Sequence, residues 1–223
     1  MGNQLELTVK IFIYIHAIAG GVGLIAGLAA LIAKKGSVIH KKSGVFFNYG
    51  MGISALLSLI IAKMPHHENV FLFLIGIFTI YMLLVGTRAL NFKKNDDVKN
   101  IRLDKIISGT MLFAAVCMVI LGIKLQQQHQ AGFVLYLFFG LLSAYMAGRD
   151  FRFYKSPLLW RKKWLSNHIG KMVGAYIASV TAFLVAALRF TSISIWIIPT
   201  IIGTIYIIYW NRKTTPKKKE IVA

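Results

Sequence analysis

VFLFLIGIFTIYMLLVGTRA, Val70 to Ala89, carries a single charge, Arg88, near its end. A helix that spans a bilayer core needs about 20 such residues. No backbone N–H or C=O can stay unpaired in lipid, so a run of this kind is a membrane helix or a barrel strand. Barrel strands alternate apolar and polar residues, and this run does not. Six further runs read the same way: Ile11–Ala33, Gly44–Met64, Ile106–Leu125, Gly132–Gly148, Ile169–Leu188 and Ile193–Trp210. The chain has 223 residues, 57% of them hydrophobic, and seven spans with their links use up nearly all of it. The expected fold class is all-α: a polytopic seven-transmembrane-helix bundle over residues 1–212, then a disordered basic tail at 213–223.

Charge sets the expected threading. The net charge is +19, with 26 Lys and Arg. All of these except Lys10, Lys63, Lys124 and Arg189 fall in alternate loops, at their helix ends, or in the tail. That asymmetry is the positive-inside pattern. It predicts an N-terminus outside, a cytoplasmic C-terminus, and contact of the basic loops with anionic lipid headgroups. It argues against a nucleic-acid partner, whose footprint is a basic face rather than every second loop. The start of the chain lacks a basic n-region and a small-residue cleavage site, so no signal peptide is expected. Cys117 falls within the fourth span, and a lone cysteine suits packing rather than an internal disulfide.

The link after the fifth run reads as a short interfacial helix. Ser156-Pro157 supplies an N-cap and a first-turn proline, and Trp160 and Trp164 follow among Arg161, Lys162 and Lys163. Trp196 and Trp210 bracket the seventh span in a belt role. A weak repeat relates runs one and two to runs five and six, with His40 and His168 each opening the second helix of its pair.

Ionisable groups inside a membrane are costly and mark function. With spans drawn as above, no Asp, Glu, Lys or Arg lies deep in one, and Lys171 counts as a loop-five helix end. That lowers the odds of hydrolysis and of proton-coupled transport built on buried carboxylates. Gly20-Gly21-Val22-Gly23 follows no strand, so it is not a nucleotide fingerprint. The candidates that remain are histidines. His16 is the one histidine within an apolar run, and His16, Gly20, Gly23 and Gly27 share a helix face. Such a stripe serves close helix packing, or leaves a flat slot for a porphyrin or quinone. His40 and His168 sit at cytoplasmic helix starts, each above a face of small or weakly polar residues. They serve as interfacial caps, or as a paired metal or haem b site. His16 is about 25 Å from the inner end of its helix at 1.5 Å per residue, so it cannot share a metal with that pair. His66, His67 and His129 are its available partners.

His16-Ala17-Ile18-Ala19-Gly20, His40-Lys41-Lys42-Ser43-Gly44, Arg88-Ala89-Leu90, His168-Ile169-Gly170-Lys171-Met172 and Ala175-Tyr176-Ile177-Ala178 carry a resemblance over most of the chain. They resemble a bacterial family of membrane proteins catalogued as domain of unknown function 2306. The resemblance implies the same architecture, a bacterial plasma-membrane location, and attention to His16, His40 and His168. It implies no reaction. Two function classes follow. One is a redox-type membrane protein holding haem b or a quinone through His16, His40 and His168, with Gly20, Gly23 and Gly27 beside the ring. The other is a cofactor-free small-molecule transporter or lipid-interacting protein, which requires a polar-lined cavity near Asn48, Ser179 and Tyr176.

Overall fold

Caps and turns mark where the chain leaves one helix and enters the next. The Ser37 side chain accepts from His40 N at 3.2 Å and opens α2. The Asn69 side chain accepts from Leu72 N at 2.9 Å and opens α3. Both satisfy donors that a helix start leaves unpaired. Gly36 takes a left-handed φ of 79° in the turn before α2. His66 (φ 64°) and His129 (φ 55°) take the same region in two tight links at the opposite end.

The computed structural model describes residues 2–93, 101–130, 132–188 and 194–214. Its helices are α1 (Gly2–Ile32), α2 (Val38–Ile61), α3 (Val70–Arg88), α4 (Ile101–Gln127), α5 (Phe133–Phe153), α6 (Pro157–Ala182) and α7 (Ser194–Thr214). A 3-10 turn, Ala89–Lys93, extends α3. A π-helical turn, Phe183–Ala187, extends α6. No strand occurs among the described residues. Among the described residues five stretches are long and apolar enough to cross a membrane: Glu6–Ile32, Val38–Ile61, Val70–Lys93, Ile101–Gln127 and Pro157–Val185. Lys213 and Thr214, expected to begin the tail, close α7 instead, and the rest of the tail lies outside the described residues, as do Lys94 and Arg189.

α3 and α6 form the centre. α3 packs on α2, α4 and α6, while α1 lies along α2, α5 along α4, and α7 on α6. Phe47, Met51, Phe78, Met82, Met111, Met118 and Ala175 fill the interior. The outside is just as apolar. Ile18, Ile25, Ile32, Phe46, Phe113, Leu141, Ile202 and Ile205 are all exposed. Apolar surface on this scale needs a partner other than water, and several apolar helices in one bundle fit an integral membrane protein. The connection at 62–69 and the link that follows α4 at 128–130 share one end, termed here the histidine end. The links at 33–37 and 154–156 share the other, the basic end.

At the basic end α7 is tied to α1. Tyr206 Oη donates to Leu31 O at 2.8 Å. Lys35 Nζ donates to Ala30 O (2.9 Å) and Leu31 O (2.5 Å), and lies 5.4 and 5.2 Å from the Tyr206 and Trp210 ring centroids. Partial burial there holds its pKa below the ordinary lysine value. The cation also suits the negative end of α1.

Two expectations are corrected. The short interfacial helix is the start of α6, which runs unbroken from Pro157 through the apolar run. Trp160 is buried against Phe92, Phe153 and Tyr154. Its ring centroid is 5.3 Å from that of Phe92, and this aromatic cluster carries α5 past Gly148 to Phe153. His168 therefore lies well inside α6 instead of opening it. The repeat also falls differently, because α5 packs on α4 and barely meets α6.

Candidate functional site

A cavity of about 650 Å³ opens between α1, α2, α3 and α6 at the histidine end. His16, Gly20, Gly21, Ser54, Ser58, Thr79 and Ser179 are in its wall, and the 62–69 link contributes His66, His67, Glu68 and Asn69. The volume is in the range of small-molecule sites, which combine an apolar lining with a few polar groups. His16 Nδ1 donates to Ser54 O at 2.8 Å, and Ser54 Oγ lies 3.0 Å from the same nitrogen. A carbonyl only accepts, so the proton is on Nδ1. In the neutral ring Nε2 then keeps its lone pair.

The glycine stripe divides between packing and cavity. A methyl added at Gly23 would stand 2.8 Å from the Met51 side chain. One at Gly27 would stand 2.5 Å from the Tyr176 ring and 2.9 Å from Phe47. Those faces are helix contacts, and no planar ring can lie there. Gly20 would meet Ser54 Oγ at 3.0 Å, while Gly21 has open space. Gly20 and Gly21 both line the cavity.

His40 lies against α1 and His168 against α3. Each is fixed as His16 is: His40 Nδ1 donates to Ala30 O at 3.0 Å, and His168 Nδ1 to Gly86 O at 2.8 Å. Backbone anchoring of Nδ1 is what haem and metal histidines usually have. The glycine faces that would have to admit a porphyrin ring are covered. Gly86 is covered by Met172, whose Sδ would be 2.7 Å from an added methyl, and Gly27 is covered by Tyr176 and Phe47. Among the described residues no three His, Cys, Asp or Glu side chains gather to hold a metal ion. The inner pair as packed does not fit haem b. Of the expected cavity residues, Ser179 lines the cavity. Asn48 instead donates to Thr87 Oγ1 at 2.7 Å, and Tyr176 packs on Phe47.

The expectation that the spans hold no deep charges is overturned by a cluster toward the basic end. Asp150 of α5 is 2% exposed and Lys171 of α6 is 3% exposed. Lys171 Nζ lies 2.8 Å from Asp150 Oδ2. Tyr81 of α3 donates to that oxygen and accepts from Lys171. Ser108 of α4 donates to it at 3.3 Å, and Ser108 Oγ is 3.1 Å from Tyr154 Oη. One carboxylate oxygen thus gathers three other helices. Beside the cluster, Arg88 grips Asp104 at both carboxylate oxygens, at 2.6 and 2.9 Å. Asp104 is 1% exposed.

Sequence reasoning missed this cluster because it sorted charges by sign and loop, not by depth. The available signal was Pro157. If the helix starts there, Lys171 lies roughly 21 Å along it at 1.5 Å per residue, far beyond any loop. No family model, curated protein or solved structure matches the chain.

Proposed function

We propose that this integral membrane protein crosses a bacterial plasma membrane seven times, histidine end outside, and carries a small amphipathic molecule through the cavity at His16. The family resemblance at His16, His40 and His168 belongs to the same proposal. The cavity carries the reading. It is of ligand size, has the polar link His66, His67, Glu68 and Asn69 at its mouth, is walled deeper by hydroxyls and one fixed imidazole, and is apolar elsewhere. A cavity of this make-up suits a molecule with an apolar body and one or two hydrogen-bonding groups. Its lining reaches Phe183, the first residue of the π-helical turn, a local widening of a kind that recurs at functional sites. The charge pattern supports the orientation, with the lysines of the basic end against anionic headgroups.

A quinone-type ring is the second reading. His16 supports it, because an Nδ1-anchored imidazole presents Nε2 to accept a hydrogen bond from a quinol hydroxyl. Haem b at His40 and His168 is not carried forward, since Gly27 and Gly86 are covered.

The test is solvent extraction and mass spectrometry of the purified protein. Wild type should yield a stoichiometric small molecule. Gly21→Phe, which fills open space in the cavity wall, should lose it while keeping thermal stability. His16→Ala should weaken it by about 1–3 kcal/mol, the usual cost of leaving a polar ligand group unpaired. A redox-active ring in the extract selects the second reading. Equal recovery from wild type and Gly21→Phe removes the cavity as the site.

A further inference from the structure

The cavity and the Asp150–Lys171 cluster are related in their construction. α1 with α2, and α4 with α5, are the two closest antiparallel pairs. Glycine brings backbones together in both. A methyl at Gly50 would stand 2.8 Å from Ala19 O, and one at Gly140 would stand 3.1 Å from Val119 N. The third helix of each set, α3 or α6, packs against the other at the centre. In each set a polar bond joins first helix to second: His16 to Ser54 at one end, Ser108 to Asp150 at the other. The cavity lies among α1, α2, α3 and α6. The cluster lies among α4, α5, α6 and α3. Exchanging the sets α1–α3 and α4–α6 turns one group of helices into the other. Because each set has three helices, the second starts from the opposite end, so the exchange also swaps the ends.

We infer that α1–α3 and α4–α6 are two three-helix sets of opposite sense, with α7 outside both and α6 seated on α3 rather than on α5, and that the Asp150–Lys171–Tyr81–Ser108 cluster is the closed counterpart of the open cavity, where the carried molecule leaves at the basic end. This rests on the carrier reading above. Opposed units that bind substrate at their interface suit alternating access. The two places are in line: Lys171, Ala175 and Ser179 follow one another at four-residue steps on one face of α6. Ser179 lines the cavity, and Lys171 holds the cluster about 12 Å away at 1.5 Å per residue. Ala175 and Met82 fill the space between and are fully buried. Opening the basic end means parting Lys171 from Asp150. That exposes two charges in low dielectric unless water or the carried molecule replaces the pair. The pair therefore holds this end shut while the histidine end stands open.

The test is cysteine accessibility in sided membrane vesicles, on a Cys117→Ala background. Ser58→Cys reports on the cavity and Ser108→Cys on the cluster. Adding Asp150→Asn with Lys171→Met removes the charge pair and keeps the net charge. Labelling of position 108 from the basic side should rise about tenfold as a minor state becomes a major one. Labelling of position 58 from the histidine side should fall in step. Tyr81→Phe, which leaves both charges in place, should shift both rates the same way by less, and it decides the matter if the double variant does not fold. A rise at both positions means mere loosening and overturns the inference, as does no change at either. The two readings can fail separately: an empty mass-spectrometric extract sinks the carried molecule, whereas reciprocal labelling concerns only the two units.

Discussion

Asp150→Leu or Lys171→Met alone should destabilise the protein by about 3–5 kcal/mol, while the double variant should recover most of that loss. Each single change leaves an unpaired charge among residues that are at most 3% exposed. Tyr81 and Ser108 also lose the carboxylate oxygen they donate to when Asp150 is removed. The double variant replaces the pair with apolar groups, and a buried ion pair contributes little net stability against such a replacement. Unfolding in mixed detergent micelles measures the cycle. Additive losses from the two single changes would mean that Asp150 and Lys171 do not act as a pair.

Gly50→Val should cost about 1–3 kcal/mol or more, in the range of overpacked cores. The added carbon meets backbone rather than a flexible side chain: Ala19 O at 2.8 Å and Gly23 N at 2.9 Å. α1 has to lift from α2 to make room. That shift also disturbs the His16–Ser54 bond and so the cavity wall. Gly52 on the same helix has nothing within 4 Å of an added carbon. Gly52→Ala should be neutral or stabilising by up to about 1 kcal/mol, as alanine is the better helix former. Thermal unfolding of the two variants side by side checks the pair. Equal melting temperatures would mean that the α1–α2 seam is not close-packed at Gly50.

The parts of the fold that were legible in the sequence are those fixed by length and polarity alone. Val70–Ala89 and Ile106–Leu125 have no competing reading, and α3 with its 3-10 extension and α4 include them. The His16, Gly20, Gly23, Gly27 face was legible from its 4, 3, 4 spacing, but spacing does not say what fills a face. Met51, Phe47 and Tyr176 fill part of it, and their approach is set by tertiary packing. The α5–α6 boundary was not legible. Arg149-Asp150-Phe151-Arg152 has the composition of a loop, yet it is helical because Phe153, Tyr154, Phe92 and Trp160 bury one another there. Once that is missed, Lys171 is assigned to a helix end and the Asp150 cluster disappears. His168 was read as opening its helix, whereas α6 begins eleven residues earlier at Pro157. The covering of Gly86 by Met172 carries no sequence signature.

Cysteine labelling of intact cells tests the central claim, a membrane bundle with its cavity open to the outside and its basic end within. On a Cys117→Ala background, a membrane-impermeant thiol reagent should reach cysteine placed at Ser58 and at His67, and should not reach cysteine placed at Lys41 or Lys162 until the membrane is permeabilised. Labelling of positions 41 and 162 from outside, with 58 and 67 protected, would contradict the orientation and the carrier reading built on it.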